Sequence, residues 1–272
     1  MAEHGVLGVS MLLRIVYSLL LFPFAVAVIV MGGLPLKAVL VVASLGALYE
    51  AYKGIFTKLI PIHYLSFLAV VAYYFFIHQG ISNFFVLFIG WIVINSGYQV
   101  VSHKNLTYEK SFTNIVLPMY IGVLFSTIYL VRDNNPFLVW AIFVGGWGCD
   151  TFAYFTGKFL GKNKLTTLSP NKTVEGFIGG IIGATILGAL FALGFYTYFP
   201  QFSIDIILFT IICGVAAVFG QLGDLAASSI KRHHGIKDYG HIIPGHGGFM
   251  DRIDSLLFTG PVVYMAMVIL NV

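Results

Sequence analysis

The most charged stretch of the chain runs from Asp224 to Asp254, although only 10% of all residues are charged. It begins inside one apolar run and ends at the start of the next, so its ionisable side chains are expected at or just below a bilayer surface. They are Asp224, Asp238, Asp251, Asp254, Lys231, Arg232, Lys237 and Arg252. Because ionisable groups at membrane depth are energetically costly, they usually serve function. We therefore place the chemistry of the protein in this segment.

Helical spacing arranges the acidic side chains of this segment into two sets. Asp224, Ser228 and Lys231 follow at i, i+4 and i+7 and are predicted to share one helix face. Asp251 and Asp254 follow at i and i+3 and are predicted to share another. Mg²⁺ usually binds through a few carboxylates and substrate phosphates. The sequence therefore predicts a Mg²⁺ site with Asp224, Asp251 and Asp254 as ligands. Zinc is disfavoured because the chain has no thiolate cluster and no histidine pair at i, i+4.

A glycine-rich turn, PGHGG at 244–248, lies between these two sets. Glycine has no Cβ and allows positive φ, so the backbone here can approach a phosphate closely. Lys237 and Asp238 precede the turn and the paired aspartates follow it within a few residues. The combination predicts a phosphate-binding segment, although a glycine-rich turn by itself would be a weak signal.

A second informative loop, GKFLGKNKLTTLSPNKTVE, occupies residues 157–175. A Pro-containing turn there runs into a predicted helix start, which offers unpaired backbone N–H groups and the positive end of a helix dipole. Lys172 and the hydroxyls of Ser169 and Thr173 lie beside this start. The loop is therefore predicted to bind phosphate. The alternative is a solvated basic loop that only orients the protein in the membrane.

Asp150 follows an uninterrupted apolar stretch and is predicted to lie inside a membrane helix. A carboxylate at that depth must be paired, protonated or bound to a cation. Two interpretations stay open at this point. Asp150 either faces nucleotide or metal, or forms a salt bridge with a lysine of the 157–175 loop.

Composition determines the class of protein that must position these residues. The chain has 58% hydrophobic residues and a mean hydropathy of +0.91, which excludes a soluble α/β enzyme. A helix needs roughly 20 apolar residues to cross about 30 Å of hydrocarbon, so we predict an all-α polytopic helical membrane protein with about nine transmembrane helices. The candidate spans lie near residues 11–31, 38–52, 59–77, 84–101, 114–131, 136–156, 175–199, 204–229 and 254–272.

Two of these spans have alternative interpretations. The second is short and could be a re-entrant hairpin, although Lys37 and Lys53 can snorkel at its ends. The first could be a signal peptide, but its length favours a retained helix. Cys149 and Cys213 lie within apolar runs and are predicted to be packing residues.

The distribution of cations predicts the orientation in the membrane. Of the 15 Lys and Arg residues, all but Lys37 and Arg132 fall on one side of the predicted spans, together with the N-terminus. The positive-inside rule then predicts a cytoplasmic N-terminus and a cytoplasmic active site. The basic residues sit in short loops against the bilayer, so nucleic acid is not an expected partner. An integral protein of the bacterial inner (cytoplasmic) membrane is the predicted localisation.

The residues quoted above resemble a known family. From Ser228 to Asp254 the chain reads S-x-I-K-R, four residues, K-D-x-G, two residues, I-P-x-H-G-G-F-x-D-R-I-D, which is similar to the signature of phosphatidate cytidylyltransferases. The resemblance extends to Asp150 and its neighbours, to the Ser169–Gly176 region and to Gly223-Asp224-Leu225. Over the first 130 residues it is only general in character. The chain departs from the family pattern at Phe152, where these enzymes usually carry a small residue, and at Asn171.

The resemblance implies that CTP and phosphatidic acid condense to CDP-diacylglycerol and pyrophosphate, with Mg²⁺ required. It implies that Asp224 and Asp251 are the leading metal ligands, with Asp254 supporting them and Asp150 a further acidic member of the site. Phosphates would be bound by Lys231, Arg232 and Arg252, and CTP by Ser169, Lys172 and Thr173. We also expect substrate contacts from Ser228, Lys237, His246, Gly247 and Gly248.

The domain organisation and the rival functions complete the set of expectations. Residues 1–135 are expected to form a scaffold or an oligomer contact, which leaves a homodimer as a hypothesis. Residues 136–272 are expected to carry the catalytic site.

A CTP-dependent polyprenol or lipid kinase would share the nucleotide and metal demands. An ion-coupled transporter would also use membrane carboxylates, but the acidic residues here cluster toward one face. Glu50 is expected only to pair with Lys53.

Overall fold

The structure is a computed structural model that describes residues 20–56, 58–79, 81–104, 106–198, 205–240 and 248–272. Within these ranges the regular secondary structure is helical, apart from one isolated β-bridge between Lys164 and Thr173. In chain order the helices are α1 Leu20–Met31, α2 Gly33–Phe56, α3 Pro61–Phe76, α4 Ile81–Val101, α5 Tyr108–Asn134, α6 139–160, α7 Val174–Tyr198, α8 Ile206–His233 and α9 Met250–Leu270. Short π-helical segments, Met119–Val123 and Val144–Gly148, interrupt α5 and α6.

The prediction of an all-α polytopic membrane protein is confirmed. Among the described residues, six helices are long and apolar enough to cross a membrane, and α1 and α3 are shorter apolar helices. Each of the nine predicted spans overlaps one helix of the structure, although residues 11–19 of the first span lie outside the described residues. The second span is one continuous helix of 24 residues, so it is not a re-entrant hairpin. The helix begins before and ends after the predicted limits.

The described residues fall into two compact units. One contains the chain up to Tyr129 together with Asp238–Arg252, and the other contains Leu130–Lys237 together with Ile253–Val272. The first unit therefore includes a short segment from the C-terminal part of the chain. This segment carries Asp251 and Arg252, and the scaffold and catalytic roles of residues 1–135 and 136–272 stay predictions.

In the first unit, α2, α3, α4 and the N-terminal part of α5 pack together. Tyr52, Tyr74 and Ile121 are among its fully buried side chains. Polar side chains link the helices, as in the hydrogen bond between the hydroxyls of Ser44 and Tyr74 at 3.1 Å. Such interhelical hydrogen bonds help membrane helices associate, since lipid supplies no hydrophobic drive for it.

In the second unit, α7 packs against α6 and α8, and α8 also packs against α9. Glycines allow close approach, because a Cβ on Gly180 would lie 2.9 Å from the Cβ of Ala153 and one on Gly183 only 2.3 Å from the ring of Phe152. The space beside Gly183 thus accommodates the large side chain of Phe152. Gln221 is buried and its side-chain amide donates to the Phe177 carbonyl at 2.8 Å, which ties α8 to α7.

Both cysteines belong to this second unit. Cys149 and Cys213 are free and buried, as expected of packing residues. The Cys149 thiol donates to the carbonyl of Ala217 at 3.7 Å. Within the described residues, these two cysteines therefore form no disulfide.

Candidate active site

Three carboxylates from α6, α8 and α9 come together in the second unit. We call Asp150, Asp224 and Asp254 the acidic cluster. Asp254 is buried, and the carboxylates of Asp224 and Asp150 both lie within electrostatic range of it. Like charges held together at low exposure repel one another, so a cluster of this kind requires cations.

Glycines next to the acidic cluster allow its helices to approach. A Cβ on Gly223, which precedes Asp224, would lie 2.8 Å from the backbone oxygen of Asp254. A Cβ on Gly146, in the π-helical segment before Asp150, would lie 2.8 Å from the Leu256 side chain. Because backbone atoms cannot move aside as a flexible side chain can, glycine at 223 is a condition for this arrangement.

Two lysines bring positive charge to the acidic cluster. Lys172 forms an ion pair with Asp224, and both side chains are partly exposed. Lys231 is only 8% exposed and acts electrostatically on Asp254. An ammonium group buried to this extent is stabilised by its carboxylate neighbours. The cluster is therefore a mixed site in which cations and anions share a small volume.

The 161–173 loop is folded so that Lys172 reaches Asp224. Glu175, in the first turn of α7, accepts hydrogen bonds from the backbone N–H of Lys162 at 3.1 Å and from the side chain of Asn163 at 2.7 Å. The Leu165 N–H donates to the carbonyl of Lys172 at 2.9 Å. These hydrogen bonds hold the loop backbone at both ends, and phosphate binding by the loop stays a prediction.

The two interpretations of Asp150 both stay open in the structure. The lysine of the loop pairs with Asp224. Asp150 accepts a hydrogen bond from the hydroxyl of Ser255 at 3.3 Å, and Asp254 accepts one from the Ser255 backbone N–H at 2.8 Å. Ser255, which the sequence analysis did not select, therefore bridges two members of the acidic cluster.

The hydroxyl of Thr173 has a structural role in the described residues. It accepts a hydrogen bond from the Gly176 N–H at 3.1 Å, as a residue capping the start of α7 would. Ser169 accepts a hydrogen bond from the Lys172 N–H through its backbone carbonyl at 3.0 Å. Binding of CTP by Ser169 and Thr173 stays a prediction, and for Thr173 it would have to coexist with the cap.

The C-terminal end of α8 divides its polar residues between interior and surface. Ser228 and Lys231 are buried, as expected of a shared helix face with Asp224. Arg232 is exposed and its guanidinium donates to the Ile236 carbonyl at 3.1 Å. Lys237 is exposed beyond the helix end. Arg232 and Lys237 are therefore accessible to a phosphate from solution, whereas Lys231 acts within the cluster.

Asp251, Arg252 and Gly248 belong to the first unit. The Asp251 carboxylate accepts hydrogen bonds from the backbone N–H groups of Tyr239 at 3.0 Å and Gly248 at 3.3 Å. Arg252 is exposed. His246 and Gly247 lie outside the described residues. The predicted ligand roles of Asp224, Asp251 and Asp254 are thus distributed over both units.

The donor set of the acidic cluster can be compared with the demands of Mg²⁺. No group of three or more His, Cys, Asp or Glu side chains is placed to hold a metal jointly within the described ranges. Mg²⁺ nevertheless needs only one or two protein carboxylates when substrate phosphates and water complete its shell. The Asp224 and Asp254 carboxylates fit that demand, and metal binding stays a prediction.

Glu50 is the residue that the sequence analysis underrated. Lys53 lies over the ring of Tyr49, with 4.7 Å between its Nζ and the ring centroid. The Glu50 carboxylate is buried and accepts a hydrogen bond from the Met250 N–H at 3.0 Å. The expectation that Glu50 only pairs with Lys53 therefore needs correction. The sequence signal for a larger role was the position of Glu50 within an apolar helix, because carboxylates in membrane helices usually serve a function.

Comparison with known proteins gives a consistent result. Residues 12–270 match the sequence profile of the Cytidylyltransferase family. A phosphatidate cytidylyltransferase of Bacillus subtilis (strain 168) is 34% identical over 274 residues, which cover 97% of this chain and 100% of the relative. Phosphatidate cytidylyltransferases of Staphylococcus haemolyticus and Staphylococcus saprophyticus are 37% and 38% identical over 172 residues. Those two alignments cover 63% of this chain and 64% of each relative.

Proposed function

Because the chain belongs to the cytidylyltransferase family, we propose that it is a membrane nucleotidyltransferase that condenses CTP with phosphatidic acid to CDP-diacylglycerol and pyrophosphate. The observation that carries this proposal is the full-length similarity to a phosphatidate cytidylyltransferase. The acidic cluster with its two lysines supplies a charged site of the kind that a triphosphate and a lipid phosphate need. The protein is an integral membrane enzyme of phospholipid biosynthesis.

In this reaction a phosphate oxygen of phosphatidic acid attacks the α-phosphorus of CTP. A new phosphorus–oxygen bond forms, and the bond from the α-phosphorus to the pyrophosphate oxygen breaks. The lipid supplies the nucleophile, so the protein needs none of its own. Its contribution is to align two anionic substrates and to neutralise the charge that develops on the departing pyrophosphate.

The residues of the second unit can share this work. We propose that Lys172 and Lys231 bind phosphate oxygens, which is supported by their positions beside carboxylates of the acidic cluster. Arg232 is exposed and can bind a phosphate with two parallel hydrogen bonds. When phosphate enters, the ammonium group of Lys172 can exchange its partner from Asp224 to the substrate. Asp224 would then be free to accept a cation.

Mg²⁺ is the cofactor that we propose. Asp224 and Asp254 would hold it, and the ligand role of Asp251 remains a prediction from the sequence. When bound, the ion supplies charge neutralisation at triphosphate oxygens. Asp150 would stay in the cluster as the partner of Ser255.

The environment follows from the same reasoning. The relatives quoted are bacterial, and thirteen of the fifteen cations lie on one side of the predicted spans, which supports a site on the cytoplasmic face of the bacterial inner membrane.

A homodimer through the N-terminal helices is part of the proposal. Chemical cross-linking in native membranes tests it, and a protein that stays monomeric there contradicts it.

The test of the activity uses purified protein in lipid nanodiscs with phosphatidic acid, Mg²⁺ and CTP labelled at the α-phosphorus. Cytidylyl transfer places the label in the lipid. A kinase would leave the label in CDP, and a transporter would form no labelled product. The family match favours neither rival. A lipid fraction without label at full consumption of CTP would refute the proposed reaction.

A further inference from the structure

Glu50 on α2 is a buried carboxylate to which the mechanism above assigns nothing. Its side chain is only 3% exposed, and its Oε2 accepts a hydrogen bond from the backbone N–H of Met250 at 3.0 Å. A buried carboxylate costs free energy unless hydrogen bonds compensate for lost hydration. The chain separation between the partners is 200 residues. Glu50 therefore forms a long-range link within the first unit.

The fit around the Glu50 carboxylate is close. A Cβ on Gly240 would lie 2.5 Å from its Oε1, and a Cβ on Gly248 would lie 2.8 Å from its Oε2. Any side chain at either position would displace the carboxylate. Glycine at 240 and 248 thus lets two backbone segments reach Glu50, which is the close approach that glycine alone permits.

Asp251 reinforces the same arrangement. Its Oδ2 accepts hydrogen bonds from the Tyr239 and Gly248 N–H groups. Together, Glu50 and Asp251 thus accept hydrogen bonds from the backbone at Tyr239, Gly248 and Met250. Hydrogen bonds from backbone N–H groups to a carboxylate are stronger than those between neutral groups. Asp251 and Arg252 follow Met250 directly. The hydrogen bond from the Met250 N–H to Glu50 therefore holds the backbone on their N-terminal side.

We propose that Glu50 is a positioning residue for cytidylyl transfer, which holds the backbone at Met250 so that Asp251 and Arg252 adopt one conformation. The inference rests on the proposed function, since Asp251 and Arg252 matter here as predicted metal and phosphate ligands. Glu50 touches no reacting atom in this scheme. It acts as an outer partner that orients the groups in contact with substrate.

The test compares Glu50→Ala, Glu50→Gln and Ser44→Ala in the full-length protein in lipid nanodiscs. Loss of outer partners of this kind typically lowers activity about 10- to 100-fold, and we expect that fall in kcat for Glu50→Ala. Glu50→Gln should restore most of the turnover, because the side-chain carbonyl can still accept from the Met250 N–H. Ser44→Ala is the matched control on the same helix. It removes the buried hydrogen bond to Tyr74 and should keep wild-type turnover.

Amide hydrogen exchange supplies a readout that does not depend on activity. Exchange in peptides covering residues 248–252 should rise in Glu50→Ala and stay at the wild-type level in Glu50→Gln and Ser44→Ala. If Glu50→Ala fails to fold, Gly240→Ala replaces it, because its Cβ would displace the Glu50 carboxylate. Wild-type turnover in whichever of the two variants is measured would overturn the proposal.

The remaining outcomes separate this inference from the function on which it rests. Equal loss of turnover in Glu50→Gln and Glu50→Ala would mean that the negative charge is required, which also overturns the positioning role. A wild-type protein without cytidylyl transfer would overturn the proposed function itself. An active wild type with an unaffected Glu50→Ala variant would overturn the role of Glu50 alone.

Discussion

The two units of the protein differ in the partners of their carboxylates. In the first unit, Glu50 and Asp251 accept hydrogen bonds from backbone N–H groups. In the second unit, Asp224 forms an ion pair with Lys172, and Asp254 lies within electrostatic range of Lys231. A carboxylate bonded to backbone has a fixed partner, whereas one paired with a lysine can exchange it for a substrate or a metal. A fixed partner suits a structural role, and an exchangeable partner suits a role in the reaction.

The largest effect of a substitution is expected at the acidic cluster. Asp224→Asn should lower kcat at least about 100-fold, because charge stabilisation in the transition state is lost. The melting temperature should not fall, since the change also relieves repulsion from Asp254. Turnover in nanodiscs and thermal unfolding of the same preparation measure both. Near-wild-type activity would remove Asp224 from the metal site.

Asp251→Asn tests whether Asp251 is a metal ligand or a structural carboxylate. The predicted ligand role requires the negative charge, so we expect a loss comparable to that of Asp224→Asn. An amide oxygen could still accept the hydrogen bonds of Tyr239 and Gly248. A loss much smaller than that of Asp224→Asn, at unchanged expression, would therefore place Asp251 with Glu50 as an architectural carboxylate.

Gly223→Ala tests the helix approach that forms the acidic cluster. The new Cβ would lie 2.8 Å from the Asp254 backbone oxygen, so helices α8 and α9 must separate. Overpacking of this kind costs typically 1–3 kcal/mol, about 2 kcal/mol being a reasonable expectation, and turnover should fall with it. Gly194→Ala on α7 is the control, because nothing lies within 4 Å of its Cβ. Equal thermal stability of the two variants would contradict the packing argument.

Lys172→Gln tests whether the loop lysine exchanges its partner. Removal of one phosphate-binding cation should raise the KM for CTP about tenfold, equivalent to roughly 1.4 kcal/mol of binding, with a smaller change in kcat. Lys164 lies in the same loop and is exposed, so Lys164→Gln serves as the control. Initial rates over a range of CTP concentrations measure the effect. A KM unchanged by Lys172→Gln would leave its ion pair with Asp224 as a purely structural contact.

The smallest functional effect is expected at the opposite end of α8. Asp205 caps this helix by accepting from the Leu208 N–H at 2.9 Å. Asp205→Ala should cost about 0.5–2 kcal/mol of stability and leave kcat unchanged, because the cap lies far along the helix from Asp224. Thermal unfolding and turnover measured together decide the matter. A drop in kcat larger than the loss of folded protein explains would assign Asp205 a role in the reaction.

Much of the fold could be read from the sequence, because helix length and apolar composition are local properties. The nine apolar runs correspond to helices, and the buried free cysteines agree with their apolar surroundings. The helix limits were less well predicted. Helix α2 extends past Lys37 and Lys53 and α9 begins at Met250, since charged residues near the helix ends continue the backbone hydrogen bonding but lower the hydropathy signal.

The sequence by itself determined that this is a helical membrane protein with a charged segment at residues 224–254, because hydropathy and residue spacing are local. Only the tertiary structure decided how the carboxylates are partnered. It grouped Asp150 with Asp224 and Asp254, paired Lys172 with Asp224 and bonded Glu50 to Met250. These choices depend on glycines at helix contacts and on links between residues as much as 200 positions apart. No periodicity along the chain records which surfaces will meet.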